Sequence, residues 1–228
     1  RRPDAATHVS RARPELVRAY GDYLWLDPGD ERTHDLTLGV VRDILTRYDV
    51  DAIHIDDYFY PYPVPKVEFD DAATFARYQQ GGGKLARDDW RRANVDRFVE
   101  RLYREVHATR PQAMVGISPF GIWRPGFPPG VKSMDPYVKI FADSRKWLQE
   151  GWVDYMAPQL YWPIAPKEQS FSTLLGWWNE QSTRKVPIWP GIATARIGQD
   201  RTAQEIANQI RLIRRQPNPN GCLFWNFS

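Results

Sequence analysis

The sequence has 228 residues, 42% hydrophobic and 26% charged, which excludes a disordered chain and predicts one globular domain. Its net charge of +3 comes from basic residues spread along predicted helices, so it lacks the compact basic run that is typical of nucleic-acid binding. A single cysteine, Cys222, excludes an intramolecular disulfide, and no apolar run approaches the length of a membrane span.

Taken in chain order, the predicted elements alternate between helices and short strands. Residues 1–32 predict an irregular segment, and its apolar piece at 23–26 is closed by a turn at 27–29. Apolar residues at helical spacing predict helices over 33–48, 88–109, 137–150, 171–183 and 203–215. Short apolar runs predict strands over 52–57, 114–118, 154–161, 186–191 and 221–226. The glycine run 81–83 follows no strand and indicates a flexible loop.

Alternating strands and helices predict a parallel sheet with covering helices, either as an open doubly wound sheet or as a barrel. Polar and aromatic residues follow every predicted strand, as at the carboxy-terminal face of a (β/α)8 barrel. These residues are Asp56, Asp57, Trp123, Arg124, Gln159, Tyr161, Trp162, Arg196, Trp225 and Asn226. A dinucleotide fold would instead place a glycine-rich turn after its first strand, and no such turn is present.

Five segments together carry a resemblance to a known family. They are residues 24–29, 48–62, 116–125, 153–163 and 190–198. In order and in register over residues 11–228, they resemble the glycosyl-hydrolase-like family ten, formerly called domain of unknown function 187. The resemblance implies a (β/α)8 (TIM) barrel of which strands four to eight are present and the first three are missing. Residues 1–228 would then be the carboxy-terminal part of one barrel domain.

The same resemblance implies hydrolysis of O-glycosidic bonds in a polysaccharide, because the family includes bacterial lipoproteins that act on peptidoglycan glycan strands. It also implies export to the periplasm or the cell envelope. Five strands cannot close an eight-stranded barrel. We therefore expect the missing amino-terminal barrel segment, or a second copy of the chain, to cover the open edge.

Asp56 and Asp57 are the predicted catalytic carboxyl groups, because glycoside hydrolysis needs one acid and a second group at the reacting carbon. Adjacent side chains of a strand point to opposite faces, so we expect one Asp at the reacting centre and the other orienting it. Two acids this close also favour a raised pKa for one of them. An alternative role for one Asp is to cap the following loop.

Tyr161 is the third predicted catalytic residue. If the substrate carries an N-acetyl group, its carbonyl can act as the nucleophile, as in substrate-assisted hydrolases. One Asp would then orient the acetamido group and Tyr161 would bond its oxygen, with Gln159 nearby. The alternative is that Tyr161 fills the core.

The remaining candidates are substrate-binding residues. Flat rings can stack on the apolar face of a sugar, and arginines can pair with a substrate carboxylate, although packing and ordinary salt bridges are the alternatives. His54 lies on the same strand face as Asp56 and could bond a sugar hydroxyl, an Asp or a core group. The candidates are His54, Tyr58, Tyr60, Trp123, Arg124, Gln159, Trp162, Arg196, Trp225 and Asn226.

No cofactor or metal is expected, because the four histidines (8, 34, 54 and 107) have no ligand spacing and Cys222 stands alone. A non-catalytic carbohydrate-binding protein on the same scaffold is the first alternative to a hydrolase. A deacetylase or a lyase on a barrel is the second, and deacetylation would need a metal-binding set that the sequence lacks.

Overall fold

The structure, a computed structural model, describes residues 5, 7–217 and 221–226. The helices are α1 Val9–Ala12, α2 Glu31–Arg47, α3 Ala72–Gln80, α4 Arg87–Thr109, α5 Pro136–Lys139, α6 Ser144–Glu150, α7 Phe171–Gln181 and α8 Ala203–Arg214. The strands are β1 Val17–Tyr20, β2 Tyr23–Leu26, β3 Ala52–Ile55, β4 Met114–Ile117, β5 Tyr155–Met156, β6 Gly191–Ala193 and β7 Leu223–Trp225.

Parallel strands follow one another in chain order through the body of the molecule. β3 pairs with β4 from Ala52↔Met114 to Ile55↔Ile117, and β4 pairs with β5. Parallel bridges Met156↔Ile188 and Gln159↔Gly191 join β5 to the segment that leads into β6, and β6 pairs with β7. Helices joined to parallel strands in this way are those of an α/β fold.

Caps and apolar faces explain where the helices lie. Asp30 accepts a hydrogen bond from the Arg32 amide at 3.1 Å and begins α2. Thr202 caps α8 in the same way, through the Glu205 amide at 3.1 Å. Two apolar clusters form the core. One lies between α2, α4 and the sheet, and the larger one, around Trp147, Phe171 and Trp178, packs α6 and α7 against β4, β5 and β6.

Residues 9–26 and 72–80 contain regular elements that were not predicted. Residues 17–26, expected to be irregular, form the antiparallel hairpin β1–β2, in which Tyr20 pairs with Tyr23. Gly21 lies in the turn with φ +55°, a conformation that glycine adopts at little cost. The polar excursion before Gly81 contains α3, on which Thr74 is buried.

The bounds of three other predicted elements were wrong, because a proline or a residue with positive φ interrupts the regular backbone. The strand expected at 186–191 pairs regularly only over Gly191–Ala193, because Pro187 and Pro190 have no N–H to donate to a ladder. Pro158 shortens β5 for the same reason. The helix expected over 137–150 is divided into α5 and α6 around Phe141, whose φ is +57°.

Within the described ranges, no helix has both the length and the apolar character that a membrane crossing requires.

Candidate active site

Asp56 and Asp57 lie directly after β3 and occupy different environments. The Asp56 side chain is exposed, whereas Asp57 is only 2% exposed, as the alternation of a strand predicts. Asp56 Oδ1 accepts hydrogen bonds from the Asp57 amide at 2.8 Å and from Gln159 Nε2 at 2.8 Å. The Asp56 carboxylate is therefore held in place while remaining open to solvent.

The Tyr62 hydroxyl donates a hydrogen bond to Asp57 Oδ2. Burial raises the pKa of Asp57 from 3.8 to about 7, and the charge of Asp56 acts in the same direction, whereas the Tyr62 hydrogen bond opposes the rise. Burial thus disfavours charge on Asp57 and favours its protonated form below about pH 7.

Gln159 and Tyr161 bring the segment after β5 to the carboxyl groups. Gln159 Nε2 also donates to the Ser118 carbonyl at 3.0 Å, which ties the ends of β4 and β5 together. The pKa of Tyr161 is raised well above its ordinary value by burial and then by the charges of Asp56 and Asp57. Arg201 Nη2 donates to the Tyr161 carbonyl at 2.9 Å and fixes its backbone.

His54 does not bond to either Asp. Its Nδ1 lies 2.9 Å from the Tyr155 hydroxyl and its Nε2 lies 2.8 Å from Ser118 Oγ, while its ring stacks on Tyr155. Burial lowers the pKa of His54. Tyr155 stacks in turn on Trp189 at 4.5 Å. His54 therefore belongs to an aromatic row across the sheet, next to the carboxyl groups.

Two residues of the site were not predicted from the sequence: Ser118 and Tyr155. Ser118 follows a strand end and could have been found by that rule. Tyr155 carries no local signal of its partner, because it lies 101 positions from His54.

Tyr58 and Trp225 have exposed rings that a sugar can reach. Tyr58 is 61% exposed and meets Tyr62 edge-on at 5.9 Å. Trp225 is 54% exposed and stacks on Tyr161 at 6.3 Å with an interplanar angle of 26°. Asn226 is exposed at the end of β7.

Tyr60 and Trp123 lie in the core, which corrects the expectation that they stack on sugars. Tyr60 is 1% exposed and its ring packs between Phe69 and Phe141. The Trp123 ring stacks on Trp177, and its Nε1 donates to Asp143 at 2.9 Å. Neither ring has a free face.

The two candidate arginines differ. Arg124 pairs with Asp135 at 3.1 Å and lies over the Tyr137 ring. Arg196 is half-exposed, pairs with Asp200 at 3.2 Å and borders a groove of about 400 Å³. The groove is lined by Tyr161, Trp162, Ala193, Ala195, Arg196, Gln199 and Trp225.

Tyr161 links this groove to the carboxyl pair, because it lines the groove and is reached by the charges of Asp56 and Asp57. Trp162 is half-buried and meets Phe120 edge-on at 5.7 Å. In the part of the chain that the structure describes, no group of three or more His, Cys, Asp or Glu residues is arranged to hold a metal ion.

An α/β fold with two neighbouring carboxyl groups, one buried and one exposed, at a single strand end is of the class that glycoside hydrolases use. A family model described as Glycosyl hydrolase-like 10 matches residues 3–207, so the chain belongs to this family and the resemblance is confirmed.

Two curated relatives agree. Glycosyl hydrolase YngK of Bacillus subtilis (strain 168) is 36% identical over 219 residues, covering 91% of this chain and 43% of that protein. Glycosyl hydrolase DigH of Escherichia coli (strain K12) is 31% identical over 196 residues, covering 81% of this chain and 43% of that protein. The chain thus spans less than half the length of the curated relatives it matches.

Proposed function

We propose that this chain carries the carboxyl pair of an O-glycoside hydrolase that acts on peptidoglycan glycan or a related amino-sugar polysaccharide. The observation that carries the proposal is the buried Asp57 carboxyl, bonded by Tyr62, directly beside the exposed Asp56 carboxylate. Membership of a glycosyl hydrolase-like family supports the reaction class. The amino-sugar substrate is our inference, and from it we propose that the full-length protein acts in the cell envelope.

The supporting scaffold is proposed to be a (β/α)8 barrel in which β3–β7 are strands four to eight of one domain. Support comes from parallel neighbours that follow in chain order without a reversal among the described strands of the sheet. In a barrel of this kind the site lies at the carboxyl ends of the strands. Asp56, Asp57, Gln159 and Tyr161 all follow strand ends.

In the proposed reaction, Asp57 is the general acid, since burial raises its pKa to about 7 and so favours the protonated form below that pH. It donates its proton to the leaving oxygen as the bond from the anomeric carbon to that oxygen breaks. The acetamido carbonyl oxygen of the same sugar forms the new bond to the anomeric carbon. Asp56 accepts a hydrogen bond from the acetamido N–H, and Tyr161 donates to the acetamido oxygen before attack.

In the second step, a water molecule attacks the anomeric carbon and gives a proton to the Asp57 carboxylate, which restores the acid. The bond from the anomeric carbon to the acetamido oxygen breaks. Gln159 holds Asp56 in the orientation that this step requires through the 2.8 Å hydrogen bond. The chemistry needs one carboxyl group that donates a proton and a second that accepts a hydrogen bond, and buried Asp57 beside exposed Asp56 suits these two roles.

The test uses the full-length protein with purified peptidoglycan, with and without stem peptides, and reads the products by mass spectrometry. We expect glycan fragments from the wild type and a loss of rate of about 100-fold or more in Asp57→Asn. We expect a large loss in Asp56→Asn as well. The control is Asp43→Asn, because Asp43 lies on α2 in a surface pair with Arg47 and should leave the rate unchanged.

The pH dependence provides a second readout. Because a general acid acts in its protonated form, we expect the rate to fall as the pH rises through about 7, the pKa of Asp57. Normal cleavage by both Asp variants would contradict the site. Glycan binding without cleavage by the wild type would instead favour a carbohydrate-binding protein.

A further inference from the structure

The tip of the β1–β2 hairpin presents an aromatic surface that the proposed reaction does not use. Tyr23 is 65% exposed at the start of β2, and Tyr58, next to Asp57 in the chain, is 61% exposed. Burial first, and then the charges of Asp56, Asp57 and Tyr23, raise the pKa of Tyr58, so Tyr58 lies within electrostatic reach of both the carboxyl pair and Tyr23. We call Tyr23 and Tyr58 the hairpin surface.

Partly buried hydrogen bonds hold this surface in place. Trp25 Nε1 donates to the Phe59 carbonyl at 2.9 Å, and the Trp25 ring lies 6.4 Å from that of Tyr58. The Tyr20 hydroxyl accepts from the Val64 amide at 2.9 Å. The hairpin is thus bonded near both ends of the loop that follows the carboxyl pair. Rings held in this way bind a flat ligand with little further loss of conformational entropy.

Contacts link the carboxyl pair to the hairpin surface and to a second aromatic surface. On one side, Asp57 is bonded by Tyr62, whose ring contacts Tyr58 at 5.9 Å. On the other side, Asp56 is bonded by Gln159, which lies two residues before Tyr161. We call Tyr161 and Trp225 the groove surface, because both line the groove beside Arg196.

We propose that Tyr23 and Tyr58 form a sugar-binding subsite on the opposite side of the carboxyl pair from Tyr161 and Trp225. The site then binds an internal stretch of an amino-sugar polysaccharide and cleaves within the chain. The inference rests on the proposed function, because it takes Asp56 and Asp57 as the point of cleavage. A site that removes single units from a chain end needs sugar contacts on one side only.

The chemistry of the subsite follows from the rings. A pyranose has an apolar face of C–H groups, and a flat aromatic ring covers it while the hydroxyls stay in water. Tyr23 and Tyr58 also carry hydroxyls that can bond to sugar oxygens. The subsite therefore suits an uncharged sugar unit.

The experiment measures glycan binding in the full-length protein carrying Asp57→Asn, which prevents turnover. The probes are N-acetylglucosamine oligosaccharides of increasing length and purified peptidoglycan strands, and the readout is calorimetric Kd. We expect longer probes to bind more tightly. Adding Tyr23→Ala should weaken the long probes about tenfold and leave the shortest unchanged, while Tyr23→Phe should keep most of the affinity.

The matched control is Tyr48→Ala, because Tyr48 is 56% exposed before the opposite end of β3 and should leave every Kd unchanged. A Tyr23→Ala protein that binds long probes as tightly as the Tyr48→Ala protein would overturn the subsite and leave the proposed function standing. If the Asp57→Asn protein binds none of the probes, the proposed function fails and the subsite with it.

Products of the wild-type enzyme test the mode of cleavage separately. Fragments of many lengths early in the reaction support cleavage within the chain. Release of only the terminal unit from the start would overturn it, even where Asp57→Asn abolishes the reaction as the proposed function requires.

Discussion

Asp56 and Asp57 show how one residue type acquires two chemical properties at adjacent positions. Both carboxyl groups follow β3, and alternation of side chains leaves the first exposed and the second 2% exposed. Burial of Asp57 disfavours charge on its carboxyl group and raises its pKa to about 7. Tyr62 limits that rise because its hydroxyl donates to the ionised form more strongly than to the neutral one.

Asp57→Asn should therefore change how stability depends on pH. A raised pKa in the folded state means that the stability contributed by the protonated carboxyl is complete below the ordinary value of 3.8 and is lost as pH rises through about 7. Asn cannot ionise and can still accept from Tyr62. Above pH 7 we expect the variant to melt at a higher temperature than the wild type. As the pH falls from about 7 towards 3.8, this difference in melting temperature should shrink.

Calorimetric melts across this pH range check the expectation, with Asp43→Asn as a surface control. Wild-type and Asp57→Asn melting temperatures that run parallel over the whole range would contradict the raised pKa.

At the scale of elements, β4 must have a residue without a side chain at position 116 for the site to form. Gly116 pairs with His54 on one side and with Tyr155 on the other. The Tyr155 ring lies over Gly116 and reaches across β4 to His54, so a Cβ built on Gly116 would lie 1.9 Å from Tyr155 Cζ. The contact between His54 and Tyr155, which links β3 to β5, is possible because Gly116 has no side chain.

Gly116→Ala should destabilise the protein by about 2 kcal/mol, because the Tyr155 ring or the strand must move. The matched control is Gly39→Ala in the interior of α2, where a Cβ would meet nothing within 4 Å. The control should stabilise by about 0.5–1 kcal/mol, since alanine is the better helix former. Denaturant unfolding measures both, and equal effects from the two substitutions would contradict the packing described.

At the scale of the whole molecule, buried ion pairs join segments that are far apart in the chain and hold the elements around the site together. Asp71, fully buried, accepts from Arg91 Nε at 2.7 Å and from Arg87 Nε at 2.9 Å, which ties the segment before α3 to α4. Asp27, also fully buried, accepts from Arg18 at 2.9 Å and from Thr74, which ties the hairpin to α3. The hairpin in turn holds the loop after Asp57.

Asp71→Asn should cost about 3 kcal/mol or more of unfolding free energy, because it leaves two arginine groups without their buried carboxylate. Asp49→Asn is the matched control, since Asp49 is fully exposed and its pair with Arg110 is screened by water. We expect little change in the control. Urea titrations compare the two variants, and similar midpoints would contradict a structural role for the buried pair.

Much of this protein could be predicted from local sequence. Apolar spacing predicted helices around 33–48, 88–109, 171–183 and 203–215, and strands near 52–57 and 114–118, because period and burial act on neighbouring residues. The position of Asp56 and Asp57 after a strand followed from the same pattern. The hairpin was missed although Gly21-Asp22 is a turn signal, since the flanking strands show only weak alternation.

What only the tertiary structure decided concerns contacts between residues far apart in the chain. The sequence could not distinguish Tyr58, which is exposed, from Tyr60, which Phe69 and Phe141 enclose. Nor could it show that Asp57 is the buried carboxyl, that Gln159 holds Asp56, or that Trp123 packs on Trp177. Burial and pKa depend on everything packed around a side chain, and those neighbours meet only when the chain folds.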